Sequence, residues 1–268
     1  MRERMSFLGR VGAAVGIGAA RVSVVAAGQS QYRGSTVRGN CTLEGGTVEQ
    51  EIRALTVDLV EFWVTGSGKN RTHHQRSHGR QTLAEGLTVA PGFRQEFGIE
   101  QGLPADARCS RRSDGWLLRA EAHVPWAVDA RADYPLRVVP HAEVLAVQRA
   151  ARDALGLVPA AWDGSGARVR YDFASPPWLK DRLDGVSFRL EVIGDVVVGD
   201  MVLNRQEHGF GDVLRSAIGA DRESIPLQIP RAELRHGSGS PKPAGAYPYL
   251  KQLFEELGVV VPGDVAAG

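Results

Sequence analysis

The sequence predicts an all-β protein: two antiparallel β-sandwich domains with short helices. Three observations carry this. Apolar residues recur at every second position in both halves of the 268-residue chain, which is strand spacing and not the three-and-four spacing of a helix. Turn pairs rich in Gly, Pro, Asn and Asp separate these runs. Helical periodicity is confined to a few segments, so strand follows strand without the regular βα alternation of a parallel sheet.

The N-terminus, MRERMSFLGR followed by VGAAVGIGAA, has the basic start and small apolar middle of a secretory signal, with VVAAG as a cleavage site. Arg21 interrupts that stretch, and RVSVV from residue 21 reads as a strand. The preferred reading is a short helix with Phe7, Leu8, Val11 and Val15 on one face, then a Gly-rich turn; Met5 is an alternative start. GIGAAR at 16–21 lacks the preceding strand and third glycine of a dinucleotide loop, and reads as a turn.

The stretch GGTVEQEIRALTVDLVEFWV (45–64) decides the class of the first half. Val48, Gln50 and Ile52 share one phase, and Leu55, Val57 and Leu59 the other. The phase slips by one near Ala54–Leu55, which is what a β-bulge does. Further strands are expected at 35–46, at 86–100 around the Pro91–Gly92 turn, at 116–124 and at 133–140. The second half opens on HAEVLAVQRAARDALG (141–156), a helix between the two sandwiches with Val144, Val147, Ala151 and Leu155 on one face and Gly156 as its C-terminal cap. Strands follow at 167–173, 186–193 and 196–203, the last two joined by a Gly194–Asp195 hairpin turn. A short helix near 211–218 and the strand IPLQIP (225–230) come next. HGSGSPKPAGA (236–246) reads as a flexible linker, and YLKQLFEEL (249–257) as a short amphipathic helix with Leu250, Leu253, Phe254 and Leu257 on one face. The expected domains are residues 1–139, 140–235 and a 236–268 linker and helix.

The chemistry is sparse. Net charge is +1, so nothing at chain level points to nucleic acid or to an anionic membrane, and no run is long and apolar enough to span a bilayer. Cys41 and Cys109 read as two free thiols of a reducing cytoplasm. His73, His74 and His78 lie in TGSGKNRTHHQRSHGR without helix-turn ligand spacing or a nearby carboxylate or thiolate, so a solvated, mobile hairpin tip is preferred over a metal site. Asp129 and Asp133 are too few carboxylates for calcium. No nucleophile elbow or P-loop occurs. No catalytic residue, cofactor or metal is expected. Trp63, Trp116, Trp126 and Trp178 fall in or beside strands; most belong to the core, and one or two near loops suit a partner.

Several segments carry a family resemblance. YRGSTVRGNCTLEGGTVEQEI, the SFLGRVGAAVGIGAARV start, AVDARADYPLRVVP and YDFASPPWLKDRLDGVSFRLEV resemble corresponding stretches of the bacterial sporulation-control proteins of the Spo-zero-M type. The resemblance touches nearly the whole chain, with the N-terminal segments the more specific. It implies an arrestin-like pair of β-sandwiches, a cytoplasmic regulator or scaffold and not an enzyme, and partners that are other proteins, bound by strand addition at an exposed edge or in a groove. It also implies a polar contact between the domains, for which Asp129 or Asp133 with Arg119 are the candidates. The histidine-rich stretch, Gly34 in place of a Pro-Gly turn, and Asn204 in place of an acidic residue depart from the family pattern. Two other classes stay open: a secreted sandwich module that binds carbohydrate or a surface, and a metal-dependent hydrolase built on the histidines.

Overall fold

The computed structural model describes residues 19–111, 113–180, 183–205, 222–256 and 261. The expected N-terminal helix or signal, the 211–218 helix and Leu257 lie outside the described residues. The chain divides into two compact units, Met1–Val139 and Pro140–Gly268.

In the first unit, β1 (Arg21–Ala26), β3 (Thr36–Glu44) and β6 (Arg94–Gly102) form one sheet in the order β1-β3-β6. A five-stranded sheet faces it, built from β2 (Ser30–Tyr32), β4 (Gln50–Thr65), β5 (Thr72–Val89), β7 (Gly115–His123) and β8 (Ala130–Val139), in the order β2-β8-β7-β4-β5. The alternation Val37, Cys41, Leu43 on β3 and Leu118, Ala120, Ala122 on β7 places these residues in one buried cluster between the sheets. Ile52 and Leu55 are both fully buried although three apart. The β4–β5 register shifts at Leu55/Thr56 and again at Val57/Leu59, which absorbs the phase slip seen in the sequence. Pairing is antiparallel except for β2, which runs parallel to β8 from Ser30↔Arg137 to Tyr32↔Val139.

The second unit contains α1 (Ala142–Asp153), then β9 (Val158–Asp163), β10 (Val169–Ala174), β11 (Leu183–Ile193), β12 (Val196–Arg205) and β13 (Arg222–Pro230), then α2 (Arg231–Leu234) and α3 (Pro243–Glu256). The strands form one antiparallel meander, β13-β12-β11-β10-β9. Among the described residues the layer that packs with this sheet is helical: Val144, Val147, Ala151, Leu250, Leu253 and Phe254 share a core with Phe173, Phe188, Leu190 and Ile229. Helix α1 ends as its sequence foretells. Gly156 takes φ 67, and the Leu157 N–H bonds back to the Ala151 carbonyl at 3.0 Å, a left-handed glycine exit that leaves Leu155 and Leu157 buried.

One sequence expectation needs correction here. Residues 236–246 are not a linker. The His236 N–H bonds to Ser240 O (2.9 Å) and the Lys242 N–H to Leu234 O (2.8 Å), Arg235 bridges Pro241, and α3 starts at Pro243, where its fixed φ suits a first helical position. Gly245 is required there for another reason: a Cβ would overlap the Glu233 carbonyl oxygen of α2. Strand β9 and helix α2 were not foreseen. Glu143, whose side chain is 2% exposed, anchors α2 to α1 by accepting from Arg231 (2.8 Å) and Arg235 (3.4 Å). Desolvation pushes this carboxyl up, but its backbone hydrogen bond, the Arg231 hydrogen bond and both guanidinium charges outweigh it and hold the pKa below the ordinary 4.5.

Gly245→Ala therefore destabilises the protein by about 2 kcal/mol or more, because backbone cannot yield to the new methyl; urea titration measures it. The Glu143 contribution is fully present above pH 4.5, the ordinary value, and is lost as pH falls through the lower folded value. The Glu143→Gln variant is expected to lose less stability than the parent when urea midpoints are compared from neutral pH down into that window.

Candidate functional site

The β4–β5 hairpin runs on past its third strand. Strand β7 accompanies β4 only as far as the pair Phe62↔Gly115, whereas β4 and β5 stay paired out to Thr65↔Thr72. The turn uses Gly66 at φ 79 and Gly68 at φ 57. The distal end is thus a two-stranded ribbon, and β5 lies at the edge of its sheet, with β4 as its only strand neighbour among the described residues.

This corrects the reading of residues 66–80 as a loop: His73, His74 and His78 all lie in β5. The side chains of His74 and His78 are held by β4 and β7 and not by an apolar face, which is why hydrophobic spacing failed to find the strand. His78 Nε2 sits 2.9 Å from Glu61 Oε2, and its ring packs on Trp116 at 4.9 Å. His74 stacks on Trp63 at 5.1 Å and its Nε2 lies 2.7 Å from the Thr65 hydroxyl. The Arg108 guanidinium lies over Trp63 at 5.0 Å and reaches Glu61 at 3.5 Å. Arg76 approaches the same carboxylate at 4.0 Å. Glu61, with only 4% of its side chain exposed, is thus answered by three basic side chains. Among the described residues no group of three or more His, Cys, Asp or Glu side chains is placed to hold a metal ion.

A second polar network covers the face of the five-stranded sheet opposite the core. Arg119 donates to both oxygens of Asp133 (2.7 and 3.2 Å). Arg131 binds Asp133 at 2.9 Å and approaches Glu121 at 4.0 Å. Arg80 lies 3.8 Å from Glu121 and 3.9 Å from Asp58, and the Ser77 hydroxyl donates to Asp58 at 2.6 Å. Burial pushes the Asp133 carboxyl up, but the hydrogen bonds and charges of Arg119 and Arg131 prevail and leave its pKa lowered. The sequence candidates Arg119 and Asp133 therefore meet each other across β7 and β8 of one unit. Asp129 has different partners: it accepts from the Val124 N–H at 3.0 Å and lies 2.9 Å from His123 Nδ1, closing the base of the β7–β8 loop.

That loop carries Trp126, which is 98% exposed at φ 63, with Val128 exposed beside it. The other tryptophans have other roles. Trp116 is buried in the first unit's core, Trp178 packs on Phe254 in the second, and Trp63 is the stacking platform of the hairpin.

Sequence reasoning missed Gln101 and Arg108. The Gln101 amide donates to Val57 O (2.9 Å) and Gly79 O (3.0 Å), stitching β6 to the bulge where Gly79 takes φ 74. No spacing rule announces such long-range contacts. Glu61 had a signal that went unused: a carboxylate inside the apolar run LVEFWV.

Glu61→Ala is expected to cost about 1–3 kcal/mol, since it strips the buried acceptor from His78 and Arg108; chemical denaturation checks it. Trp126→Gly is expected to leave the melting temperature unchanged or raised, because glycine relieves a left-handed conformation worth about 1 kcal/mol of strain. Trp116→Ala, by contrast, should cost about 3–5 kcal/mol in the same assay.

A sequence model of the family described as SpoOM protein matches residues 8–175. A curated relative, the sporulation-control protein spo0M of Bacillus subtilis (strain 168), is 26% identical over 103 residues, 38% of this chain and 40% of that protein. The matched stretch thus spans about two fifths of that relative's length. A crystal structure titled as Spo0M, sporulation control protein, from Bacillus subtilis superposes with a TM-score of 0.62 at 14% identity, covering 90% of this chain and 98% of that one. That likeness supports the fold, in which strands frame both units. With the match of the family model over most of the chain, it follows that this chain belongs to the SpoOM protein family.

Proposed function

We propose that this chain is a non-enzymatic regulatory protein that controls sporulation or a related step of cell development by binding other proteins. The developmental role comes from the relative described as a sporulation-control protein. The binding mode comes from one observation: β5 is an 18-residue strand at a sheet edge. Along such an edge every second residue turns its N–H and C=O away from the neighbouring strand, a template for one more strand. A partner segment adds there by main-chain hydrogen bonds, with its side chains reading the two faces of the ribbon. The place of action proposed is the cytoplasm, in keeping with Cys41 and Cys109, which are buried and unbridged. No helix among the described residues is long and apolar enough to cross a membrane.

Site-specific photo-crosslinking in native cells tests this. A crosslinker at exposed Gln75 on β5 is expected to give discrete adducts with other proteins as development begins. The same group at exposed Ile193, on the β11–β12 turn of the second unit, should not give them. No adduct at Gln75, or the same adducts from both positions, would defeat the reading.

A further inference from the structure

We infer that the segment β5 receives is an acidic strand of a different protein, an inference that rests on the strand-addition reading and names its partner's chemistry. From Gly66 to Ala84 the chain contains Lys69, Arg71, Arg76 and Arg80, three histidines and no carboxylate. Opposite its distal part, Thr72–Gln75, β4 offers Phe62, Trp63, Val64 and Thr65, again without a carboxylate. Two of the four cations are answered from within: Arg76 by Glu61, and Arg80 by Asp58 and Glu121. Lys69 and Arg71 make no ion pair among the described residues, and neither does exposed His73. Even the answered arginines keep side chains 60% and 54% exposed. The unpaired edge is therefore flanked by cations that this unit does not neutralise.

The positions suit a strand. Arg76 shares a face with His74 and His78, which contact Trp63, Thr65, Glu61 and Trp116. Arg80 shares the other face with Ser77, since both reach Asp58. The bulge at Gly79 puts a cation on each face within a few residues. A strand laid along β5 would hold its own side chains about 5 Å from these groups, close enough for opposite charges to attract and like charges to repel. That selects Glu and Asp and rejects Lys and Arg. It also rejects a second copy of this chain, because pairing two β5 edges would set arginine and histidine against their own kind. Nucleic acid would use the cations but leave the edge N–H and C=O groups without their natural partners.

The test uses the full chain and dye-labelled synthetic peptides of about nine residues, read by fluorescence anisotropy. One alternates Val and Glu. In the others Gln or Lys replaces Glu, and a fourth is the Glu peptide with every backbone nitrogen methylated. The Glu peptide is expected to bind about tenfold or more tighter than the Gln peptide, with affinity falling several-fold from about 50 to about 300 mM salt. The Lys peptide should not bind, and N-methylation should weaken binding about tenfold or more. The triple variant Lys69→Ser/Arg71→Ser/His73→Ser should lose most of the preference for Glu over Gln while melting like the parent. Equal binding of the Glu and Gln peptides, lost on N-methylation, would overturn the acidic assignment and leave strand addition standing. Indifference to N-methylation, or no peptide binding at all, would overturn both. Displacement of the Glu peptide by a labelled single-stranded oligonucleotide that binds more tightly would overturn the inference in favour of a nucleic-acid surface.

Discussion

A carboxylate withdrawn from water in the middle of a strand must be met by hydrogen-bond donors or cations, and Glu61 imposes that requirement on the first unit. Its phase on β4 continues Leu55, Val57 and Leu59, which fill the core. One step further along the same face the sandwich runs out and the acid replaces the hydrophobe. The groups that answer it come from separate places in the chain: His78 and Arg76 from β5, and Arg108 from the segment before β7. That segment is itself held by Trp116, whose indole N–H donates to the Arg108 carbonyl at 2.8 Å. One ionic centre thus fixes the register of a hairpin and the path of a loop together. The stacking of Arg108 and His74 on Trp63 then extends order to the ribbon beyond the third strand.

This explains how a hairpin this polar keeps strand geometry. A two-stranded ribbon is marginal alone in water, and the usual remedy is an apolar face. Here aromatic rings, cations and one buried acid perform that service on one face. On the other, charges of both signs across β5, β4, β7 and β8 form a lattice in which Asp133 and Glu121 each meet two arginines. Exposed ion pairs contribute little singly. Half-buried and mutually constrained, these set which residues can stand opposite one another.

What could be read in the sequence follows from where apolar residues do the work. Strand alternation in β3, β4, β7, β11 and β12, the bulge in the β4–β5 pairing, and the Gly156 closure of α1 were all legible, because each leaves a local trace in residue type or phase. The ribbon was not. His73, His74 and His78 alternate with other polar residues, and polar alternation looks like a loop until its partners are known. The charged candidates show the same limit. Arg119 and Asp133 were expected to hold one domain to the other; they pair across adjacent strands of the first unit, 14 positions apart along the chain. Residues 236–242 misled in the opposite direction. Gly, Ser and Pro suggested slack, yet their backbone groups are spent in a tight turn that seats α3.

The parallel pairing of β2 with β8 bears on how the protein is made. Ser30 pairs with Arg137, and the Arg33 N–H bonds to Val139 O at 3.0 Å, so contacts near the start of the described chain wait for the last strand of the first unit. Loops of that span close at an entropic cost that grows slowly with length, but they close late. On the ribosome, the first unit remains open along this seam until nearly all of it has emerged. During that interval β8 has its β7 neighbour but lacks β2. The short parallel strand then acts as a final clasp, which closes only after β8 has emerged.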